Sequence, residues 1–275
     1  MKVRMITPLT RRGFKALITP EVYDEIEAGK PVIAIGLAED KKPVGAIAGM
    51  MENEHLFYVR SLYVLPEYRR QGGATMLVAA LQKLLDTRDA LALISYVEEE
   101  NDESRSLTSF IESRDCVLEN GLERMYRGTV GNFVGSGLFA KGFRNKDIHC
   151  LAEYDKSALA IMKKNMRNLF SEKMVKPLAA YKNDRRMSYA AMKSEILQGI
   201  LLTEYGNLHP EEPMIVLSEN SEPQIMGGLL NTFFNKCSNK LGKDTYLRFP
   251  VSDDRFDRMM ERIDGVKNIQ HDYLF

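Results

Sequence analysis

A short basic, glycine-containing segment is the part of this sequence best suited to binding chemistry. Residues 69–75 read R-R-Q-G-G-A-T, after an alternating apolar stretch that stops at Pro66 and before a stretch with helical periodicity. This order predicts a turn that opens a helix, whose first N–H groups lack intrahelical partners and lie at the positive end of the helix dipole. Small side chains leave those donors open and two arginines add positive charge, so the segment predicts a site for a pyrophosphate.

The elements around this segment alternate between strand and helix signals. Apolar, β-rich runs predict strands at 3–7, 31–39, 44–52, 55–65 and 90–97, and helical periodicity predicts helices at 19–29, 73–86 and 102–114. Asn120 and Gly121 predict a hairpin turn between strands at 116–118 and 122–129. Strands first, helices between them and a hairpin last predict an α/β (α+β) domain with a mixed sheet flanked by helices.

The segment and its flanks resemble the acetyl-CoA signature of the GNAT (Gcn5-related N-acetyltransferase) superfamily, Arg/Gln-x-x-Gly-x-Gly/Ala. Arg69, Gly72 and Ala74 occupy its fixed positions, after the approach L-x-V-x-P-E-Y-R. The resemblance covers about residues 1–129 and implies a mostly antiparallel GNAT sheet, with acetyl-CoA or another acyl-CoA as cosubstrate. The cofactor contacts that it implies are Leu62, Val64, Arg69, Arg70, Gln71, Gly72, Gly73, Ala74, Thr75 and Asn101.

The catalytic side chains that the resemblance implies are missing from their usual places. By alternation from Leu62 and Val64, the cleft-facing positions of the fourth strand hold Tyr58 and Arg60 instead of a glutamate. These two residues are therefore the candidates for binding the substrate, and Arg60 would suit an acidic group on the acceptor or an internal glutamate. The helix after Asn101 also lacks the tyrosine that often serves the family as general acid.

Other groups are candidates for proton transfer, because an amine must lose a proton before it attacks a thioester. Glu54 is a candidate base acting through water, and Tyr126 on the last strand is a candidate acid. The alternatives are a solvated turn glutamate and a tyrosine at the edge of the core. By analogy with tandem GNAT-like acetyltransferases, the terminal carboxylate of Phe275 is another candidate base.

The second half of the chain repeats the order of elements more faintly. We predict an acetyl-CoA-binding GNAT domain at 1–129, a glycine-rich linker at 130–147 and a degenerate GNAT-like domain at 148–275. Helices are expected at 156–170, 223–240 and 253–263, and strands at 187–196, 197–205, 213–217 and 245–251. The counterpart of the basic segment reads P-Q-I-M-G-G-L-L, with no preceding arginine and with Glu219 and Glu222 beside it. We therefore expect that the second domain cannot bind CoA.

The composition narrows the class of protein. Lys plus Arg and Asp plus Glu both number 38, whereas a nucleic-acid-binding protein would show a basic excess, so we expect no nucleic-acid partner. No run reaches about 18 apolar residues and no signal peptide is recognised, so we expect no membrane association. The three widely spaced cysteines favour a reducing cytoplasm, and the four histidines show no metal-ligand spacing.

Together these features predict an N-acetyltransferase that moves an acetyl (acyl) group from acetyl-CoA to an amine of a small molecule or peptide, without a metal. An acyl-CoA-binding sensor or pseudoenzyme without turnover remains an alternative, because the expected acid and base are missing. A transferase of a different acyl or aminoacyl group is a third reading. The acceptor, the acyl-chain preference and the oligomeric state stay open.

Overall fold

The fold is taken from a computed structural model of the 275-residue chain. The structure describes residues 1–114, 116–119, 124–139, 147–155, 157–158, 184–194, 196–205, 210–220, 222–251 and 254–275. The predicted hairpin turn at Asn120 and Gly121 and nearly all of the predicted helix at 156–170 lie outside these residues.

The chain divides into two compact units, and the strands near the boundaries do not follow the simple order first half, then second half. The first unit comprises Met1–Gly121 and Gln270–Phe275, and the second comprises Leu122–Ile269. This division differs from the predicted boundaries at 129 and 148. The strand after residue 123 joins the second sheet instead of completing the first, and the last strand of the chain returns to the first sheet.

The first unit contains a seven-stranded sheet with the order β1-β2-β3-β4-β5-β14-β6. Its strands are β1 (Lys2–Met5), β2 (Ile33–Glu39), β3 (Lys42–Met51), β4 (Leu56–Val64), β5 (Leu91–Val97), β6 (Val117–Glu119) and β14 (Gln270–Leu274). Neighbouring strands are antiparallel except for the parallel pair β4 and β5. The mixed, mostly antiparallel sheet predicted from the sequence is therefore present.

Helices cover both faces of this sheet. They are a 3-10 helix at Arg11–Leu17, α1 (Pro20–Glu27), α2 (Gly73–Asp86) and α3 (Asp102–Glu112). α1 starts at a proline, which suits the first helical position because its missing N–H would have no partner there. Apolar residues of α2 and α3 pack on one face of the sheet with Val59 and Ile94. Residues of the 3-10 helix and α1 pack on the other face with Ala46 and Ala48.

A β-bulge interrupts β4 at Arg60. Ala48 of β3 pairs with Ser61, and the next residue, Gly49, pairs with Val59, so Arg60 has no opposite residue. An extra residue of this kind shifts the alternation of side chains by one position. Along β4, the odd-numbered residues Phe57 and Val59 before the bulge therefore share a face of the sheet with the even-numbered residues Leu62 and Val64 after it.

The parallel pairing of β4 with β5 also stops at this point. Its register runs from Leu56 opposite Leu91 to Val59 opposite Ile94 and goes no further among the described residues. Beyond Ile94, β5 continues to pair on its other side with β14. The two parallel strands therefore separate after Val59 and leave a split in the sheet.

The second unit repeats this plan. Its elements are β7 (Arg124–Thr129), α4 (Val130–Gly135), β8 (Ile148–Cys150), β9 (Tyr189–Lys193), β10 (Ile196–Tyr205), β11 (Pro213–Asn220), α5 (Pro223–Lys240), β12 (Tyr246–Val251), α6 (Asp254–Met260) and β13 (Lys267–Asn268). The sheet order is β8-β9-β10-β11-β12-β7-β13, with β11 and β12 parallel and all other neighbours antiparallel. The two sheets thus share one strand order and one pattern of directions.

The glycine-rich stretch predicted as a linker begins with a helix. α4 starts directly after β7, and the side chains of Thr129 and Asn132 cap its first turn reciprocally. Val130 and Phe133 of α4 are buried in the core of the second unit. This packing explains why residues 130–135 form a helix despite their glycines.

Candidate functional site

The start of α2 presents a row of open backbone donors. Gly72 is the N-cap and takes the left-handed conformation with φ 80°, and a Cβ built there would meet nothing within 4 Å. The first helical hydrogen bond runs from the N–H of Met76 to the C=O of Gly72 at 3.0 Å. The N–H groups of Gly73, Ala74 and Thr75 precede that bond, so they are the unpaired donors at the positive end of the helix dipole.

Gly73 has a packing role that the sequence interpretation missed. It is buried, and a Cβ at this position would lie 2.8 Å from Cδ2 of Leu37 in β2. Its lack of a side chain therefore lets α2 approach the sheet, while its N–H remains a donor.

Arg69 is held by internal contacts. Its Nε donates to the C=O of Val64 at 2.9 Å, and its Nη2 donates to Oε1 of Glu103 at 2.9 Å. The guanidinium also lies 5.4 Å from the ring centroid of Tyr63. Arg69 therefore ties the turn before α2 to β4 and α3, and its contact with the cofactor stays a prediction.

Positive charge near the open donors comes from two other arginines. Arg70 is exposed and has φ 57°. Arg114 donates from Nη2 to Oγ1 of Thr75, and its guanidinium lies 4.4 Å from the ring centroid of Phe110. Gln71 is exposed and donates to the C=O of Glu67 at 2.9 Å. Arg114 follows the last turn of a helix, where no sequence pattern distinguishes it as a ligand-binding residue.

A cleft of about 390 Å³ lies at the split between β4 and β5. It is lined by Ala16, Leu17, Ile18, Thr19, Val59, Arg60, Ser61, Leu62, Tyr63, Ile94, Ser95, Tyr96 and Leu107. Because the strands part only after Val59, the cleft gives a ligand access to backbone that no neighbouring strand covers.

The bulge reverses the predicted orientation of the substrate candidates. Leu62 and Val64 pack with Phe57 and Val59 on the face covered by α2 and α3. The alternation counted back from Leu62 and Val64 assigned Tyr58 and Arg60 to that face, and this assignment is wrong because Arg60 is an extra residue. Both side chains lie on the opposite face, with α1. Arg60 still lines the cleft there, as predicted, whereas Tyr58 is not among the described lining residues.

Arg60 is already paired on that face. Its Nη1 is hydrogen-bonded to Oε2 of Glu25 in α1, and Glu25 Oε1 also accepts from Lys30 at 3.0 Å. The hydrogen bond from Lys30 is the largest cause of the lowered pKa of Glu25, followed among the favourable causes by the charge of Arg60. The guanidinium is therefore neutralised within the unit, the internal pairing that the sequence interpretation left open.

Tyr96 is a cleft residue that the sequence interpretation missed. Its hydroxyl lies 2.9 Å from Oγ1 of Thr108 in α3, and its ring stands 5.4 Å from that of His271. Burial is the main cause that raises the pKa of Tyr96, so the phenol keeps its proton at neutral pH. The sequence interpretation considered the helix after Asn101 and Tyr126, whereas Tyr96 stands on β5.

The remaining predicted residues lie away from the cleft or have structural roles. Oδ1 of Asn101 accepts the N–H of Ser104 at 2.8 Å and caps α3. Glu54 is exposed in the turn before β4, and about 10 Å of strand separates Leu56 from Val59, where the cleft lining on β4 begins. Phe275 pairs with Ala92 near the start of β5, away from the residues of β5 that line the cleft.

Tyr126 belongs to the second unit. It is 2% exposed in β7, and its hydroxyl donates to Oδ1 of Asp257 at 2.5 Å. Burial, followed by this hydrogen bond, raises its pKa strongly. The structure therefore gives Tyr126 a role in the core of the second unit, in place of the predicted role as general acid.

At the start of α5, the described residues of the second unit show no equivalent row of open donors. α5 begins at Pro223, which has no N–H, directly after the exposed Glu222. Gly227 and Gly228 lie in the second turn of the helix and not at its start. That the second domain cannot bind CoA stays a prediction.

The described residues contain no group of three or more His, Cys, Asp or Glu side chains that could hold a metal ion. Within the same residues, no helix is long and apolar enough to cross a membrane.

Comparison with known proteins finds a family model that matches part of the first unit. Residues 4–109 match the model of the acetyltransferase (GNAT) family. Solved structures similar over the whole chain include a tandem GNAT protein from the clavulanic acid biosynthesis pathway, with 10% identity, coverage of 100% of this chain and 98% of that chain, and a TM-score of 0.57. A GNAT-family acetyltransferase from Colwellia psychrerythraea has 11% identity, coverage of 100% and 99%, and a TM-score of 0.58.

A probable N-acyltransferase from Enterococcus faecalis V583 is also similar, with 13% identity, coverage of 99% of this chain and 71% of that chain, and a TM-score of 0.52. No curated protein matches the sequence significantly. At these identities the solved structures establish the fold. The family model covers residues 4–109, which lie within the first unit, and the solved structures show that the whole chain has the fold of tandem GNAT-like units.

Proposed function

We propose that the first unit transfers an acetyl group, or a related acyl group, from coenzyme A to an amine of a small molecule or peptide. The observation that carries the proposal is the row of open N–H groups at the start of α2, beside the split between β4 and β5. Open amides at a helix start bind phosphate oxygens, and Arg70 and Arg114 add positive charge there. The split would receive the extended pantetheine arm along β4 in the manner of an added strand.

The chemistry proposed for the cleft is acyl transfer by direct attack. A backbone N–H of β4 near Leu62 would stabilise the negative charge that develops on the thioester oxygen. Tyr96 would donate a proton to the departing thiolate, since its raised pKa keeps it protonated at neutral pH. The three cysteines are free, which is compatible with the reducing cytoplasm that we propose as the compartment.

Isothermal titration with acetyl-CoA tests the binding step. We expect the wild type to bind, and we expect Gly72→Glu to lose binding because it places a carboxylate at the open donors. The matched control is Gly29→Glu, at another exposed glycine of positive φ in the same unit. Absence of wild-type binding at millimolar acetyl-CoA would contradict the proposal.

A sensor or pseudoenzyme is the second candidate function. It is favoured by the residues that line the cleft, since none of the described lining residues is a carboxylate or a histidine. This candidate predicts binding of acyl-CoA without release of free CoA across a panel of amines. Sustained CoA release with any amine would rule it out, and competition between acetyl-CoA and longer acyl-CoAs would test the choice of acyl group.

A further inference from the structure

A buried carboxylate on the returning strand β14 has no cation beside it. Asp272 is 9% exposed, and no ion pair involves it among the residues that the structure describes. Its Oδ1 accepts a hydrogen bond from Nε2 of Gln270 at 3.3 Å. A carboxylate removed from water is costly unless a positive group or several hydrogen bonds compensate it.

The pairing of the strands puts Asp272 on the α1 face of the sheet. Asp272 lies directly opposite Ser95 of β5, and directly opposed residues share a face. Ser95 itself lines the cleft, and its Oγ accepts from the same Nε2 of Gln270 at 2.5 Å. Asp272, Gln270 and Ser95 therefore form one hydrogen-bonded group, in which Ser95 lines the cleft and Asp272 lies behind it, outside the lining.

The charged residue across the split from Ser95 is Arg60. Val59 pairs with Ile94, and Arg60 and Ser95 are the next residues of the two strands, on either side of the split. Arg60 is paired with Glu25, so its charge is already neutralised. We therefore take the negative charge of Asp272 to be available to a ligand.

We propose that Asp272 receives the ammonium group of the acceptor, a primary aliphatic amine, and takes its first proton; this inference rests on the proposed acyl transfer. Neighbouring residues of a strand point to opposite faces, so Ser95 and Asp272 lie on one face of the sheet and Tyr96 lies on the other. The amine and the leaving sulfur are therefore served from opposite sides of the split.

The proton and electron count of the transfer is complete with these groups. One proton passes from the ammonium to the Asp272 carboxylate, and the nitrogen lone pair forms the C–N bond to the thioester carbon. The C–S bond breaks, and the thiolate takes the proton of the Tyr96 hydroxyl. A second proton passes from the nitrogen to the Tyr96 oxygen, and Asp272 releases its proton to solvent.

The test compares two amines that differ in charge at neutral pH. Release of CoA from acetyl-CoA is measured with n-butylamine, which is protonated, and with aniline, which is neutral, after subtraction of the uncatalysed rates. We expect Asp272→Asn to lower kcat/KM about 100-fold for n-butylamine and less than about 3-fold for aniline. Asp86→Asn, at the exposed end of α2, is the matched control and leaves both rates unchanged.

Titration with acetyl-CoA accompanies the assay and separates the two proposals. A wild type that does not bind acetyl-CoA contradicts the proposed function. A wild type that binds and transfers, with Asp272→Asn equally active or equally impaired towards both amines, overturns the role of Asp272 alone. Retained acetyl-CoA binding by Asp272→Asn shows that the variant is folded.

Discussion

Tyr96 and Tyr126 are two tyrosines whose hydroxyls have different partners and hence different expected roles. The hydroxyl of Tyr96 meets the neutral hydroxyl of Thr108 beside a cleft, and that of Tyr126 donates to the buried carboxylate of Asp257. A proton held by a neutral partner next to a cleft can be passed on to a substrate. A proton held by a buried carboxylate has a structural role, since its loss would place two negative charges together.

We predict that Tyr96→Phe lowers kcat by about 10- to 100-fold, because a positioned acid contributes about this much to thiolate departure. The dissociation constant of acetyl-CoA should stay within about threefold, since the ring and its packing are kept. Steady-state kinetics and isothermal titration give the two quantities. An unchanged kcat would exclude Tyr96 as the proton donor.

Tyr126→Phe is the matched variant, and we predict an effect on stability alone. Asp257 would lose one hydrogen bond and keep its ion pair with Arg124 at 3.2 Å, so the free energy of unfolding should fall by about 1–3 kcal/mol. Urea unfolding measures this loss, and kcat should not change. A large fall in kcat with unchanged stability would restore the predicted catalytic role of Tyr126.

Tyr126 also predicts how the stability of the wild type depends on pH. The folded-state pKa of its hydroxyl is raised above the ordinary value near 10, so the unfolded chain loses this proton first as the pH rises. The stability from the neutral phenol is therefore complete below about pH 10 and decreases above it. Urea unfolding between neutral pH and about pH 11 should show a smaller alkaline decrease in Tyr126→Phe than in the wild type.

Among the elements, β4 shows both what the sequence predicts and what it does not. The strand, the turn after Pro66 and the helix with open donors follow from apolar alternation, proline and glycine, which are local signals. The bulge at Arg60 depends on pairing with Ala48 and Gly49 in β3, a nonlocal contact that no local pattern records. The side chains of Tyr58 and Arg60 were therefore assigned to the wrong face although the strand itself was predicted.

Two adjacent glycines at the start of α2 allow the binding and packing roles of this element to be separated. At Gly72 the backbone has φ 80° and the space around a Cβ is open, whereas at Gly73 a Cβ would meet Leu37. We predict that Gly72→Asn keeps the free energy of unfolding within about 1 kcal/mol, since asparagine tolerates the left-handed conformation. The new side chain should obstruct an approaching pyrophosphate and weaken acetyl-CoA binding at least about tenfold.

Gly73→Ala should show the opposite pattern. The clash with Leu37 should cost about 1–3 kcal/mol of stability, and the retained N–H should leave acetyl-CoA affinity within about threefold. Urea unfolding and isothermal titration of both variants measure the contrast. Equal affinity losses in the two variants would mean that the open space at Gly72 is not where the ligand lies.

At the scale of the whole molecule, each sheet contains a strand that is remote in sequence from its neighbours. β14 lies between β5 and β6 in the first sheet, and β7 lies between β12 and β13 in the second. Sequence reasoning ended the first domain at residue 129 because a hairpin normally joins consecutive strands. Nothing local in the sequence of β7 reveals that its partner is β12, so this boundary could not be predicted from patterning.

The place of β14 in the first sheet predicts how fragments of the chain behave. Residues 1–129 contain β7 but lack β14, so β5 would lose the neighbour that pairs with residues 93–97 and would expose an open edge. We expect this fragment to aggregate, or to bind acetyl-CoA at least about tenfold more weakly than the full chain.

A second fragment restores the missing strand. Because β6 and β14 are antiparallel neighbours, a fragment that joins residue 121 to residues 268–275 through a short glycine linker can form a hairpin. We expect the joined fragment to be monomeric and to bind acetyl-CoA like the full chain. The same fragment with Tyr273→Pro, which removes a ladder donor in the middle of the sheet, is the control and should fail. A monomeric fragment 1–129 with full affinity would show instead that β7 can replace β14 in the first sheet.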